Sequence, residues 1–488
     1  MPGSSPLVLA IDQGTSSTKV LAVDVLGRIV ATASAPLELL TPQPGWVEHD
    51  PREVVNSCAE AIRRAGAQID MADVVALGIS NQRESLVAWD RATGAPLSQV
   101  ISWQDRRATA KCVELQGAGH GPTVRRVSGL PLDPMFSAAK AAWLIDEVDP
   151  ARVRSRAGEL CIGTIDSWLL WHLSGEHVTE VGNASRTSLL DLQTAQWSPE
   201  LLSIFDIPID VLPRIVGSVG HIANVRGFAP LPDGLPITGV LGDSHAALFA
   251  HAGWRQGVAK VTFGSGSSIM TVADGAREST GALCRTIAWA MPETPATVAW
   301  EANILSAGST VAWLASILGM TPEACAEQAS DDAAGVTIVP AFNGLGAPWW
   351  DNDAQALIVG MSLATTRREL ARGALDSIVL QVADVVASLA DVGIEPSLLV
   401  VDGGSSANRD LMQRQADLCG VSVAVSKTQE LSALGAAHAA GLGCGVWSIE
   451  QLEALPRPYD VIEPTMAQAD RSRILHLWHE ALARSLSR

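Results

Sequence analysis

Basic residues are scarce in this chain of 488: Lys and Arg total 34 against 52 Asp and Glu, a formal net charge of -18. Nucleic acid and anionic membrane surfaces need clustered cations to displace counterions, so neither is expected as a partner. An anionic ligand then needs a local device, such as a metal ion or the backbone N–H groups of a glycine loop. Paired cysteines are also missing. Cys58, Cys112, Cys161, Cys284, Cys325, Cys419 and Cys444 are odd in number and form no CxxC, which argues against a disulfide framework or a zinc site and fits buried thiols in a reducing, cytoplasmic setting. Met1-Pro2-Gly3-Ser4-Ser5-Pro6 has no basic residue, and Asp12 cuts short the apolar run behind it, so no signal peptide is expected. The longest uncharged apolar stretch, residues 431–447, is mostly Ala and Gly, contains His438 and falls short of a bilayer span. A closely packed buried helix is expected there.

What is present fits an ordinary globular protein with large cores: 47% of residues are hydrophobic and 18% charged, with Gly and Pro spread throughout. The length predicts two or three folding units. Leu7-Val8-Leu9-Ala10-Ile11 reads as a buried strand, followed by a polar glycine turn, a second strand at Lys19-Val20-Leu21-Ala22-Val23 and a third beyond Gly27. The same pattern returns where Val258-Ala259-Lys260-Val261-Thr262-Phe263 runs into Gly264-Ser265-Gly266-Ser267-Ser268 and then Ile269-Met270-Thr271-Val272, as in an internal duplication. Asp50-Pro51 predicts a helix start with Val54, Val55, Cys58 and Ile62 on one face. Thr366 and Glu369 form a capping box opening a long amphipathic helix. Residues 74–80 and 398–401 read as strands. The expected fold class is α/β: two duplicated domains with mixed sheets flanked by helices and a cleft between them, the boundary near residue 250, so 1–250 and 251–488.

Three glycine turns follow apolar strands. Asp12-Gln13-Gly14-Thr15-Ser16-Ser17-Thr18-Lys19 joins an acid, a glycine and four hydroxyls, a composition suited to a metal and phosphate oxygens, and equally to a polar hairpin turn. Residues 264–268 and Asp402-Gly403-Gly404 are the other two, and three such loops favour a nucleotide over three plain connections. Asn81-Gln82-Arg83-Glu84 ends a strand with donors and acceptors that suit vicinal hydroxyls; a surface ion pair is the bland alternative. Asp243 follows residues 235–242 at a predicted helix start, where it can take a proton from an attacking hydroxyl or simply cap the helix. Trp103 can pack on the C–H face of a polyol, although a core role is the default among 15 tryptophans.

Taken together these segments resemble the FGGY family of carbohydrate kinases, and within it the members acting on glycerol, from Ile11 to about Trp447. The resemblance rests on Asp12-Gln13-Gly14-Thr15-Ser16-Ser17, Trp46-Val47-Glu48-His49-Asp50-Pro51, Asn81-Gln82-Arg83-Glu84, Trp103-Gln104-Asp105-Arg106-Arg107 and residues 136–147 with Lys140 and Trp143. Residues 339–351 and Asp402-Gly403-Gly404-Ser405-Ser406-Ala407-Asn408 extend it. It implies an actin-like ATPase (ribonuclease H-like) fold, ATP and Mg²⁺ as cofactors, and a small polyol or sugar as acceptor, with a homodimer or homotetramer by family habit. Asp243 would be the general base, and Arg83, Glu84, Trp103, Met135 and Ser244 would line the acceptor. Asp12 would position the metal, while Thr15, Ser16, Ser17, Lys19, Ser265 and Gly266 would surround the phosphates. Gly308, Gly404 and Asn408 would lie near the adenosine.

Four positions depart from the pattern. Lys19 stands where Arg is usual, which keeps the charge and loses the bidentate fork. Met135, Ser244 and Ser268 stand where glycerol kinases carry Tyr, Gln and Phe, which points to a roomier pocket for a four- or five-carbon polyol or ketose. The Gly-Gly-Thr-Arg loop used by some glycerol kinases for inhibition by fructose 1,6-bisphosphate is absent, so that control is not expected. Glycerol phosphorylation is thus the leading expectation, with erythritol, xylulose or ribulose as other acceptors. A non-catalytic actin-like ATP-binding or sugar-sensing protein is the rival of a different class.

Overall fold

Strand β1 (Leu7–Gln13) is apolar on both faces through Ile11 and is buried almost throughout, as expected of a central strand. The computed structural model describes residues 5–273 and 281–487, and the chain divides into two units. Unit 1 comprises Met1–Ala252, Arg285–Ala299 and Glu430–Pro456; unit 2 comprises Gly253–Cys284, Trp300–Gln429 and Arg457–Arg488. The chain leaves unit 1 after Ala252, and two later segments return to it.

In unit 1, β1 turns at Gly14, whose N–H donates to the Ser17 carbonyl, into antiparallel β2 (Ser17–Asp24) and then β3 (Ile29–Pro36). Helix α1 (Pro51–Gly66) starts as its sequence predicts: the Asp50 side chain accepts from Arg52 N and Pro51 fills the first helical position. Its Val54, Cys58 and Ile62 are buried, and the two larger aliphatics contribute about 2 kcal/mol each. Strand β4 (Val74–Asn81) pairs parallel to β1, setting Asp12 opposite Ser80. Next come α2 (Ser137–Val148), α3 (Val181–Ser185), β5 (Val219–Asn224), β6 (Pro236–Gly242) and α4 (Asp243–Ala250). The sheet order is β5-β6-β4-β1-β2-β3.

Unit 2 repeats this plan. β7 (Val258–Phe263) turns into antiparallel β8 (Ser267–Ala273), β9 (Thr297–Ile304) follows, and α5 (Gly308–Leu318) comes next. Helix α6 (Arg367–Leu389) opens on the capping box of Thr366 and Glu369. It is long and apolar enough to span a bilayer by composition, but Ile378, Val379, Val382 and Val385 lie in the core of unit 2. β10 (Leu398–Asp402) pairs parallel to β7, as β4 does to β1, and α7 (Arg409–Cys419), β11 (Ser422–Ser426) and β12 (Tyr459–Ile462) complete the unit. Six of the seven strands of its sheet run β9-β8-β7-β10-β11-β12 and match β3-β2-β1-β4-β6-β5 position for position. The mixed sheets and the duplication expected from the hairpins are both present.

The apolar Ala/Gly stretch forms α8 (Leu431–Gly443), and it belongs to unit 1. It lies on α4, β4 and β6 with no room for side chains. A Cβ on Gly435 would sit 1.7 Å from the Ala246 carbonyl oxygen, one on Gly78 2.3 Å from that of Ala436, and one on Gly239 2.4 Å from Ala440 N. Small residues on both partners therefore fix how closely α8 approaches the helix that begins with Asp243.

Candidate active site

Within unit 1 three loops at strand ends bring the predicted residues together. Asp12 ends the apolar part of β1, and its carboxylate accepts a 2.9 Å hydrogen bond from Ser80 on the neighbouring strand. Burial pushes the Asp12 carboxyl up to about 6; the Ser80 bond opposes this and the negative charge of Asp243 adds to it. Thr15 and Ser16 form the turn, Ser17 opens β2, and Lys19 reaches Glu430 at 2.8 Å.

At the end of β4, Arg83 and Glu84 are 6% and 5% exposed, so they are no surface ion pair. Arg83 Nε donates to Asp243 Oδ1 at 3.1 Å. Glu84 accepts from Arg186 Nε at 2.6 Å, an ion pair buried on both sides. Glu84 also sits at φ 61°, a left-handed conformation costly for a residue with a side chain, and its carbonyl accepts from Ser137 Oγ at 2.9 Å. Backbone strain, the serine bond and the ion pair together hold the carboxylate in one orientation.

Asp243 is the first residue of α4, with Gly242 in the capping position and no side-chain cap bond across the first turn. Its Oδ1 accepts from Ser244 N at 2.6 Å as well as from Arg83, and its side chain remains 40% exposed. The cap reading thus gives way to an accessible carboxylate held by a buried guanidinium. Gly242 is needed beside it, since a Cβ there would lie 2.5 Å from Arg83 Cδ. Ser244 is partly buried.

Trp103 is half-buried and so is not a core tryptophan: its indole N–H donates to Thr15 Oγ1 at 3.2 Å, and its backbone N–H to Ser85 Oγ at 2.9 Å. Met135 is 9% exposed, and its N–H donates to Asp133. The side chains behind this surface were not singled out from local sequence. Arg186 reaches Glu84 from 102 positions away, and Asn183 reaches Asn81 over the same separation. Glu180, buried under α3, accepts from Gly182 N, Asn183 N and Ser218, and burial pushes its carboxyl up to about 7. None of Arg186, Asn183 and Glu180 lies in the motifs that carry the family resemblance.

Within unit 2 the remaining residues also converge. Ser265 and Gly266 form the exposed β7–β8 turn, whose carbonyls receive the first N–H groups of α5: Gly308 N donates to Gly264 O at 3.0 Å and Ser309 N to Ser265 O at 3.1 Å. A Cβ on Gly308 would lie 2.7 Å from Gly264 O and one on Gly266 2.3 Å from Ile304 O. Gly403, at φ 92°, lets the loop bearing Gly404 approach Phe263 O, where a Cβ would sit at 2.3 Å. Asn408 caps α7 by accepting from Leu411 N at 3.0 Å. Ser268 lies in β8 opposite Thr262, whose hydroxyl, with those of Ser267 and Thr310, is buried and has no hydrogen-bond partner among the described residues. Such atoms beside open glycine loops suit a polar ligand.

A duplicated α/β unit of this strand order, with glycine turns after the first strand of each copy and a guanidinium-held carboxylate, defines the class: an actin-like phosphotransferase acting on an alcohol group. The models of the FGGY family of carbohydrate kinases match residues 7–250 for its N-terminal domain and 259–444 for its C-terminal domain, and the chain belongs to that family. It is 44% identical to a glycerol kinase of Aromatoleum aromaticum, with 98% of each chain covered. It is 43% identical to one of Dechloromonas aromatica, with 99% of this chain and 98% of that one covered. Among solved structures, Plasmodium falciparum glycerol kinase with ADP superposes with a TM-score of 0.92 at 33% identity, covering 100% of both chains.

Proposed function

We propose that the protein transfers the γ-phosphoryl group of ATP to a terminal hydroxyl of glycerol, giving glycerol 3-phosphate and ADP. The observation that carries this reading is Asp243, an exposed carboxylate held by buried Arg83, in a chain so similar to glycerol kinases. Arg83 donates to, and Glu84 accepts from, neighbouring hydroxyls of the acceptor, and Trp103 covers its C–H face. Met135 and Ser244 complete that side. Asp243 takes the hydroxyl proton as the oxygen attacks the γ-phosphorus; the bond to the β–γ bridging oxygen breaks and ADP leaves with its electron pair.

Thr15, Ser16, Ser17 and Lys19 are proposed to contact phosphate from the first turn, and Ser265, Gly266, Gly308, Gly404 and Asn408 the nucleotide within unit 2. No group of three or more His, Cys, Asp or Glu among the described residues is arranged to hold a metal by itself. Mg²⁺ usually takes one or two carboxylates and completes its shell with phosphate and water, so Asp12, buried and repelled by Asp243, fits it. When bound, Mg²⁺ neutralises phosphate charge. The cysteines are all free, which supports a reducing cytoplasmic setting.

A coupled ADP-release assay over glycerol, erythritol, xylulose and ribulose tests the proposal. Glycerol should give the highest kcat/KM. A tenfold preference for a longer polyol or a ketose would refute glycerol and point to the space left by Met135, Ser244 and Ser268. Nucleotide binding with no acceptor-stimulated turnover would refute the kinase reading.

A further inference from the structure

Lys140 lies in the first turn of α2 and is fully buried. A buried ammonium is costly unless its donors are used. Its Nζ donates to Met135 O at 2.7 Å and to Ser102 O at 3.2 Å. These carbonyls belong to two segments that are remote in sequence: one carries Met135 and the other is followed at once by Trp103. Asp133 joins the same segments a second time, accepting from Met135 N at 2.8 Å and Arg106 Nη1 at 3.3 Å. The same turn of α2 holds Glu84 through Ser137. One helical turn therefore sets the relative positions of Glu84, Trp103 and Met135, with Lys140 spanning the last two.

We propose that Lys140 is a positioning residue for acceptor binding, its ammonium clamping the backbone of the Trp103 loop to that of Met135. This rests on the reading that those residues meet the acceptor. The clamp is sensitive to pH. Burial pulls the ammonium down to about 8, and the carboxylates of Glu84, Asp105 and Asp133 oppose that pull. Cys112 also faces it from the helix Thr109–Gly117, its thiol pushed up to about 12 by burial and so protonated across the range that matters. Loss of the ammonium proton turns two charge-assisted hydrogen bonds into neutral ones of roughly half the strength.

The test measures acceptor KM, ATP KM and kcat between pH 7.5 and pH 9.5 for the wild type, Lys140→Gln and Lys140→Met. In the wild type, acceptor KM should rise about fivefold across this range while ATP KM stays level. Lys140→Met should raise acceptor KM at pH 7.5 by about tenfold or more and abolish the alkaline rise. Lys140→Gln, which keeps two neutral donors, should fall between and be flat. An alkaline rise that persists in Lys140→Gln, or variants with wild-type acceptor KM, would overturn the role. Should neither variant fold, a level acceptor KM in the wild type overturns it alone. Absence of turnover with every acceptor in the wild type sinks the kinase reading and this role with it, an outcome distinct from the others.

Discussion

Replacing Gly435 with alanine perturbs the helix that carries Asp243 without touching the site. The added Cβ would sit 1.7 Å from the Ala246 carbonyl oxygen and 2.5 Å from its carbonyl carbon. Backbone cannot rotate aside as a side chain does, so α8 and α4 must separate by about 1.5 Å to restore ordinary contact. Ala246 lies one turn into α4, so much of that displacement reaches Asp243. Overpacking of this severity costs about 3 kcal/mol, which lowers Tm by roughly 5 °C in a chain of this size. A shift near 1 Å at a reacting group costs about 100-fold in rate. Thermal unfolding with steady-state kinetics on the same sample checks both effects. Gly117→Ala is the control: nothing lies within 4 Å of a Cβ there, and it should be neutral or stabilise by about 0.5 kcal/mol. A Gly435→Ala variant within 1 °C in Tm and twofold in kcat of the wild type would refute the close-packing argument.

Glu180→Gln should flatten the pH dependence of stability. The Glu180 carboxyl is raised from 4.5 to about 7 in the fold, so the native state binds the extra proton and stability falls as pH rises from 4.5 through 7, by about 3 kcal/mol. Unfolding midpoints at pH 5 and pH 7.5 should differ less in the variant; an unchanged difference would contradict the assignment. Arg186→Met leaves Glu84 buried without its guanidinium and should destabilise by about 3 kcal/mol. Acceptor KM should rise in this variant more than ATP KM, and equal increases would remove Arg186 from the support of Glu84.

Much of the architecture is written locally. The capping box at Thr366, the Asp50-Pro51 start and the apolar strands before Gly14, Gly264 and Gly403 are short-range features, so the duplicated hairpins could be read from them. Arg83, Glu84 and Asp243 could be singled out as polar residues at the ends of apolar strands, where ligands gather, each with a plain structural alternative, and Trp103 drew its proposed role from the family resemblance alone. Their partners were not legible. Arg83 meets Asp243 across 160 positions and Glu84 meets Arg186 across 102, and nothing near Arg186 in sequence marks it as buried. The return of residues 430–456 to unit 1 was hidden for the same reason. An Ala/Gly helix announces tight packing, and it does not say against which element.

Asp243→Asn tests the central claim most directly, because asparagine keeps the shape and an oxygen for Arg83 while losing the ability to accept the proton. With glycerol and ATP, kcat/KM should fall by about 1,000-fold, while ADP affinity, measured by calorimetry, stays within about twofold. A variant that retained more than about a tenth of wild-type turnover would contradict the account, since a general base supplies at least 100-fold.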